Sequence, residues 1–252
     1  MSILPLTCKF KFIIQARTNS KRLPGKIFKT IGEKPLLLHI IDRLLIHQKR
    51  NEICFAIPEN DQELIEFLQR ENINYIEGNE KNVLSRYIKS SSELEDNDYI
   101  FRLTADNPFI DYKKIEILKE HIIKTKPEYT YSIGLPLGMG SEAVNVKVLR
   151  SLTSRALKEY HKEHVTVYFR ENNDIFNILP VTFYNKNYNK KIRLTIDEDD
   201  DLKTANGVFT YFKAQNHPCF CAEDVIMLYN KDKMIFTENE TVQQKLEISY
   251  EK

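Results

Sequence analysis

The chain contains, at residues 10–26, the stretch FKFIIQARTNSKRLPGK, which decides the fold more than any other segment. Its first part, 10–16, is a short apolar run with the length and composition of a buried β-strand. The next ten residues, 17–26, carry four cations and the turn-forming pair Pro24-Gly25. A buried strand that ends in a cationic loop is typical of an α/β protein that binds an anionic ligand at the carboxyl end of its sheet.

Strand and helix patterns alternate from this point onward. The sequence predicts further strands at 52–57, 74–76, 98–104 and 129–133, and helices at 36–48, 60–71, 82–92 and 112–124. Asp111 is expected to cap the last of these helices. Alternation with short connections predicts a mostly parallel sheet that is covered by helices on both faces.

The second half of the chain is less regular. Helices are expected at 147–155, 161–171, 199–213 and 222–229, and two strands at 176–184 and 191–196 joined by an Asn/Lys-rich loop. This strand pair predicts a small insertion, within about residues 130–190, that leaves the main sheet and serves as a lid or in dimerisation. Because no repeat, low-complexity block or Pro/Gly-rich linker interrupts the sequence, we expect one domain, 1–252.

Composition excludes several classes of protein. The 252 residues include 37 Lys plus Arg against 36 Asp plus Glu, and the formal net charge of +1 argues against a dedicated nucleic-acid binder. No apolar run reaches the ~20 residues that a membrane span needs. There are only seven glycines, and neither a G-x-G-x-x-G nor a P-loop string occurs. A nucleotide would therefore have to be bound by another kind of loop.

The amino-terminal residues and the cysteines favour a reducing compartment. Residues 1–12 lack the features of a signal peptide, and four cysteines form no disulfide framework in a chain of this length. We interpret His217-x-Cys219-x-Cys221 as buried thiols rather than a metal site, because no second cluster at zinc-ligand spacing accompanies it. The expected location is the cytoplasm.

Two further strand ends carry unusual chemistry. Asp106 follows the strand at 98–104, and Asp197 closes the strand predicted at 191–196. Both would lie at the sheet edge that carries the cationic loop, and paired carboxylates suit a hard cation such as Mg²⁺. Two carboxylates and one metal opposite a cationic loop form the arrangement that phosphoryl and nucleotidyl transfer require. The acids at 199–201 are interpreted mainly as capping charge in the first turn of a helix.

Five motifs in order resemble the cytidylyltransferases that act on acidic sugars, and most closely the spore-coat polysaccharide biosynthesis branch. They lie at 13–37, 78–87, 102–111, 163–166 and 193–197, and together they span about residues 10–210. The resemblance implies a Rossmann-like sheet of the nucleotide-diphospho-sugar transferase, or glycosyltransferase-A-like, type. It also implies that CTP and an acidic sugar or sugar phosphate give a cytidine-activated product and pyrophosphate, with Mg²⁺ as the cofactor and a homodimer as the assembly.

The resemblance assigns roles to individual positions. The implied catalytic residues are Arg22, Lys26 and Asp106, and Asp106 and Asp197 would hold Mg²⁺. The implied nucleotide contacts are Ala16, Arg17, Asn19, Ser20, Arg22, Lys26, Asn82, Leu84, Arg86 and Thr104. The implied contacts with the acceptor are Asn107, Glu142 and His164.

Two alternatives stay open from the sequence. One is a glycosyltransferase of similar fold that consumes a nucleotide sugar, although such enzymes typically carry Asp-x-Asp where this chain has Asp106-Asn107-Pro108. The other is a non-catalytic nucleotide-binding protein, against which both metal-type carboxylates argue. The sequence does not name the acceptor.

Overall fold

The computed structural model describes residues 8–155, 157–183 and 191–243. Within them, seven strands form one sheet in the order β5-β4-β1-β6-β8-β7-β9, and β2 and β3 form a separate small hairpin. The strands are β1 (Phe10–Gln15), β2 (Thr30–Ile31), β3 (Lys34–Pro35), β4 (Ile53–Pro58), β5 (Tyr75–Gly78), β6 (Tyr99–Thr104), β7 (Tyr129–Ile133), β8 (Glu142–Asn145) and β9 (Val181–Thr182). Within the described sheet β8 alone runs against the other strands, so the predicted mostly parallel sheet is confirmed.

Helices cover both faces of this sheet. They are α1 (Leu36–Leu44), α2 (Gln62–Arg70), α3 (Val83–Ser90), α4 (Tyr112–Thr125), α5 (Val146–Ser151), α6 (Glu159–His164), α7 (Val167–Glu171), α8 (Asp199–Ala214) and α9 (Ala222–Lys231). The predicted cap of α4 is confirmed, because the Asp111 carboxylate accepts hydrogen bonds from the backbone N–H groups of Lys113 and Lys114. None of the described helices is long and apolar enough to cross a membrane.

Alternation along β1 separates two layers of the hydrophobic core. Phe12 and Ile14 are fully buried among side chains of α1, α2 and α4, whereas Ile13 packs on the opposite face with residues of α3. Fully burying such a side chain contributes about 1.5–3 kcal/mol to folding. The central position of β1 in the sheet therefore fixes where its carboxyl end, and the cationic loop that follows, must lie.

The predicted strand pair in the second half is wrong in most of its length. Of the described residues in 176–184, only Val181–Thr182 form a strand, and β9 joins the main sheet beside β7. Most of the polar loop, residues 184–190, lies outside the described part of the chain. Whether this region takes part in dimerisation stays a prediction.

The segment 191–196 is extended but is not a strand. It makes one isolated bridge, between Arg193 and Leu137. Its alternating side chains Ile192, Leu194 and Ile196 are fully buried in the core formed with α8 and α9. The alternation of apolar residues thus reflects burial against helices rather than pairing in a sheet.

Three other points of the sequence prediction need correction. The strand β8 was not anticipated, because Glu142–Asn145 is short and begins with an acidic residue. The helix expected at 161–171 is two helices, α6 and α7, which are separated where the backbone of Val165 takes a φ of 51°. The helix expected at 147–155 ends as α5 at Ser151 and continues as a 3₁₀ turn.

Gly138 controls the position of the segment that leads to Asp197. Its φ is +93°, and a Cβ atom there would lie 2.5 Å from the backbone nitrogen of Thr195. We expect G138A to lower the free energy of unfolding by more than about 2 kcal/mol, because strain and a backbone clash add. Urea unfolding measures this change.

The control for this variant is G25A. Gly25 also has a positive φ, of 64°, but no described atom lies within 4 Å of a Cβ placed there. We expect G25A to lower the free energy of unfolding by only about 1 kcal/mol, through backbone strain. Equal losses in the two variants would contradict the proposed close approach at Gly138.

Candidate active site

A cavity of about 280 Å³ lies at the carboxyl ends of β1 and β6. Nine of the residues predicted for the site line it, and these are Ala16, Arg17, Ser20, Arg22, Lys26, Thr104, Asp106, His164 and Asp197. The charged lining of this first cavity comprises five basic side chains (Arg17, Lys21, Arg22, Lys26 and Arg102) and three acidic ones (Asp106, Glu163 and Asp197). The excess of positive charge suits an anionic ligand.

The loop at 17–26 is held in place by a residue that the sequence analysis did not anticipate. The carboxylate of Asp61 accepts a hydrogen bond from the backbone N–H of Thr18 at 2.9 Å and another from the Thr18 hydroxyl. Gly25, with its positive φ, then turns the chain so that Lys26 begins a short 3₁₀ helix. No pattern in the sequence pointed to Asp61, because it lies at the start of α2, 43 residues along the chain from Thr18.

Backbone pairing brings the two predicted metal carboxylates together. The N–H of Ile196 donates to the carbonyl oxygen of Asp106 at 2.8 Å, so the residue that follows Ile196 lies beside the end of β6. The Asp106 carboxylate also accepts a hydrogen bond from the Thr104 hydroxyl. The predicted convergence of Asp106 and Asp197 at one sheet edge is therefore present, although Asp197 does not end a strand.

The ammonium group of Lys26 stands between these carboxylates. Its Nζ lies 3.0 Å from Oδ2 of Asp106, 3.0 Å from Oδ1 of Asp197 and 2.8 Å from the carbonyl oxygen of Ile196. Burial by itself would lower the pKa of Lys26, but the two carboxylates outweigh it and raise the pKa above the ordinary lysine value. Lys26 is thus held as a cation.

Asp197 is the most heavily paired acid of the first cavity. Arg22 lies 2.9 Å from its Oδ1 and Arg193 lies 2.8 Å from its Oδ2. Burial would raise the pKa of Asp197, but Lys26, Arg22 and Arg193 together hold it below its ordinary value. The carboxylate is therefore ionised near neutral pH.

A fully buried carboxylate, Asp201, supports this arrangement from behind. It binds Arg193 Nε at 2.7 Å and accepts hydrogen bonds from the backbone N–H groups of Asp197 and Glu198. Asn239 donates to Asp201 at 2.9 Å as well. The interpretation of Asp201 as a helix cap is correct, but its second role as the anchor of Arg193 was missed.

The residues predicted to line a nucleotide pocket on α3 do not face the first cavity directly. Asn82 caps α3, and Leu84 is buried. Arg86 is 1% exposed and donates from Nη1 to the carbonyl oxygens of Asn79 and Glu80. These contacts shape the loop at 79–81, while Asn19 lines a separate acidic cavity beside Asp61. Nucleotide binding by these four residues stays a prediction.

A second cavity, of about 180 Å³, adjoins the first and shares Arg102 and Thr104 with it. Asn107 and Glu142, two of the three predicted acceptor contacts, line this second cavity, whereas His164 lines the first. The acceptor roles of all three stay predictions.

Glu142 is enclosed by four partners. Its Oε1 accepts from Arg102 at 2.7 Å and from the Thr166 hydroxyl at 3.0 Å, and its Oε2 accepts from Arg170 at 3.0 Å and from the hydroxyl of Tyr129. Register explains the placement, because Glu142 on β8 pairs with Arg102 on β6. This network links three strands of the sheet to α7.

Arg170 is the residue of the second cavity that the sequence analysis missed. It is held by Glu142 and by the hydroxyl of Tyr129, at 2.9 Å from Nε, and it lies over the ring of Tyr131. Its side chain is still 46% exposed. The sequence offered no signal for it beyond a basic residue in a helix.

Comparison with known proteins decides the family. Residues 11–242 match the family model described as cytidylyltransferase. The chain belongs to the cytidylyltransferase family. It is 30% identical over 237 residues to the spore coat polysaccharide biosynthesis protein SpsF of Bacillus subtilis, with 91% of this chain and 97% of that protein covered.

Two further relatives support the assignment. A 3-deoxy-manno-octulosonate cytidylyltransferase of Haemophilus influenzae is 25% identical over 150 residues, which are 58% of each chain. The solved structure of a cytidylyltransferase from Leptospira borgpetersenii is 26% identical, with a TM-score of 0.83 over 94% of this chain and 100% of that one. This cytidylyltransferase is therefore a CTP-dependent nucleotidyltransferase with a Rossmann-like α/β fold, as the sequence motifs had implied.

The buried Glu142 network predicts a pH-dependent contribution to stability. Burial would raise the pKa of Glu142, but Arg102 and Arg170 outweigh it and hold the pKa below the ordinary 4.5. A lowered folded-state pKa stabilises the fold above that ordinary value, and the contribution is lost as the pH falls below it. We expect E142Q to cost about 3 kcal/mol near neutral pH, and the cost to shrink below about pH 4.5.

Urea unfolding of E142Q and the wild-type protein across this pH range measures the effect. The control is E159Q, because Glu159 is 82% exposed and pairs with Lys162 on the surface. We expect that variant to stay within about 0.5 kcal/mol of the wild type at each pH. If E142Q lowers the free energy of unfolding by the same amount at every pH, the lowered pKa assigned to Glu142 is contradicted.

Proposed function

We propose that this cytidylyltransferase transfers CMP from CTP to the anionic sugar acid or sugar phosphate that enters the second cavity, and releases pyrophosphate. The observation that carries the proposal is the convergence of Asp106 and Asp197 with Arg22 and Lys26 around the first cavity. A cationic loop opposite paired carboxylates supplies what a triphosphate and its counter-cation require. The 30% identical SpsF protein, named for spore coat polysaccharide biosynthesis, supports a role in making surface polysaccharide.

The loop residues would act on the triphosphate. An oxygen of the acceptor attacks the α-phosphorus, the bond from that phosphorus to the pyrophosphate oxygen breaks, and pyrophosphate leaves. Arg22 and Lys26 reach the first cavity from one loop, and both can neutralise charge that builds up on the leaving group. Arg17 and Ser20 line the same cavity and provide further contacts with phosphate.

A proton must leave the acceptor where the attacking oxygen belongs to a hydroxyl group. His164 lines the first cavity at the end of α6 and is the candidate to accept this proton. Where the attacking oxygen belongs to a phosphate or a carboxylate, no proton has to be removed.

The donor atoms around Lys26 fit a divalent metal ion. Asp106 Oδ2, Asp197 Oδ1 and the carbonyl oxygen of Ile196 converge on one point that already holds a positive charge. Carboxylate and carbonyl oxygens are the ligands that Mg²⁺ prefers, and one or two carboxylates with substrate phosphates commonly suffice. When bound, Mg²⁺ would supply electrostatic stabilisation of the phosphates.

The second cavity supports an anionic acceptor. Among the described residues that line it, the charged side chains are Arg102, Arg170 and Glu142, which leave one positive charge in excess. Arg170 brings a partly exposed guanidinium to this cavity, and Ser141 and Asn107 add polar groups. Planar recognition by arginine suits a carboxylate or a phosphate. Assembly as a homodimer and a cytoplasmic location stay predictions.

A pyrophosphate-release assay tests the proposed reaction. CTP, UTP, ATP and GTP are each combined with a panel of sugar acids and sugar phosphates, and we expect release only from CTP with an acceptor present. D106N should lower the rate at least about a hundredfold, because it removes one of the two carboxylates that would hold the divalent cation at the phosphates. D199N is the control, since Asp199 is an exposed acid beside the same site.

Two outcomes would count against the proposal. Release of a nucleoside diphosphate from a nucleotide sugar would indicate sugar transfer instead. Undiminished activity of D106N would remove Asp106 from the catalytic machinery.

Arg170 is expected to determine affinity for the acceptor. R170Q should raise the KM for the acceptor about tenfold or more, because one charge-assisted hydrogen bond contributes about 1.5–3 kcal/mol. The KM for CTP should change less than about twofold, since Arg170 does not line the first cavity. Steady-state kinetics with the acceptor found in the screen measure both constants.

R170K separates recognition from support of the fold. It keeps the positive charge beside Glu142, so the structure should persist while bidentate recognition is lost. R50Q, at an exposed position in the 3₁₀ turn just before β4, is the surface control. Equal rises in both KM values for R170Q would show that Arg170 acts on the fold rather than on the acceptor.

A further inference from the structure

The Lys26 ammonium occupies the place where a metal ion would bind. Three oxygen atoms, from Asp106, Asp197 and Ile196, lie 2.8–3.0 Å from its Nζ. The side chain is only 12% exposed, so the ammonium group depends on these oxygens rather than on water for its hydrogen bonds. The same oxygens are the candidate ligands of Mg²⁺, and both cations cannot use them at once.

We propose that Lys26 is an internal competitor of the metal ion, and that the triphosphate of CTP ends the competition by drawing Lys26 away from the carboxylates. This inference rests on the proposed function, because it uses the same metal ligands and the same nucleotide. It adds an order of events. The protein alone binds the divalent cation weakly, and the cation is held firmly only together with the nucleotide.

Charge around the carboxylates supports the competition. Besides Lys26, Arg22 lies 2.9 Å from Oδ1 of Asp197, and Arg193 lies 2.8 Å from Oδ2. Arg22 is also shared with Glu198 and Arg193 with the buried Asp201, so Lys26 is the cation that Asp106 and Asp197 hold between them. A dication brought in alone would meet repulsion from the ammonium group that it has to displace. A triphosphate carries several negative charges and reverses this balance, so the cation and the nucleotide favour one another.

Lys26 has both the reach and the freedom to change partners. It lines the first cavity together with Arg22 and Ser20, so phosphate bound there lies within range of its four-carbon side chain. It follows Gly25, and a Cβ placed on Gly25 would point into open space, with no described atom within 4 Å. Its ammonium can therefore leave one set of oxygens and reach another without a change in the sheet.

Arg22 is a less suitable competitor than Lys26. Its guanidinium contacts Asp197 and Glu198 at the rim, and its side chain is 26% exposed. Only one of the three converging oxygens, Oδ1 of Asp197, is shared between Arg22 and Lys26. The inference is therefore specific to Lys26.

Binding of Mn²⁺ in the absence of nucleotide tests the competition directly. Titration followed by electron paramagnetic resonance counts free and bound Mn²⁺ and needs no activity. We expect K26M, which keeps an unbranched side chain without the charge, to bind Mn²⁺ at least about tenfold more tightly than the wild type. D106N introduced into K26M should abolish the gain, which places the metal at these carboxylates.

Two further variants keep the result interpretable. K26R retains the positive charge and should bind Mn²⁺ as weakly as the wild type. K29M removes a neighbouring lysine that pairs with Asp199 at 3.7 Å rather than with Asp106 or Asp197. We expect it to bind Mn²⁺ as the wild type does. Thermal unfolding of each variant shows whether it is folded.

The same titration with nucleotide present measures how strongly the binding of nucleotide and the binding of Mn²⁺ favour one another. A non-hydrolysable CTP analogue should tighten Mn²⁺ binding to the wild type at least about tenfold, and should tighten binding to K26M by a smaller factor. Folded K26M that binds Mn²⁺ no more tightly than the wild type would overturn the inference. Failure of the wild type to release pyrophosphate from CTP with any acceptor would instead overturn the proposed function, and the nucleotide-free comparison would still decide the competition.

Discussion

Neutralisation of two neighbouring carboxylates is the constraint on which the rest of this site depends. Asp106 follows a central strand of the sheet, and Asp197 belongs to an extended segment far along the chain. The hydrogen bond between the backbone of Ile196 and that of Asp106 brings them together, and like charges at this separation repel unless cations lie between and around them. The cations are Lys26 and Arg22, from the cationic loop, and Arg193, from the extended segment that leads to Asp197.

Two other carboxylates, those of Asp201 and Asp61, support this arrangement. Asp201 fixes Arg193 and the backbone that leads into α8, while Asp61 fixes the start of the cationic loop. A buried pair such as Arg193 and Asp201 contributes less to net stability than its geometry suggests, because both groups lose their hydration. Its clearer effect is on orientation, since Asp201 holds the Arg193 guanidinium in place while that guanidinium contacts Asp197.

The sequence predicted the parallel half of the fold well, because each of its elements carries a local signal. The apolar run that became β1, the periodic helix α4 and its cap Asp111 are examples, and Asp106 and Lys26 were found because strand ends and cationic loops are visible in sequence. The antiparallel strand β8 and the extended segment 191–196 were misjudged, since their conformation is set by neighbours distant in the chain. Asp61, Arg170 and the role of Asp201 toward Arg193 were missed for the same reason, as each acts through a partner that only the fold brings near.

The antiparallel strand β8 separates two parts of the sheet, and each part lines a different cavity. The parallel strands β1 and β6 lead into the cationic loop and Asp106, whereas β8 and α7 supply Glu142 and Arg170 to the neighbouring cavity. Arg102 and Thr104, on β6 between the two parts, line both cavities. On the proposed roles of the two cavities, a redesign for a new acceptor should therefore start at β8 and α7 and leave Arg102 and Thr104 intact, because these two residues also line the first cavity.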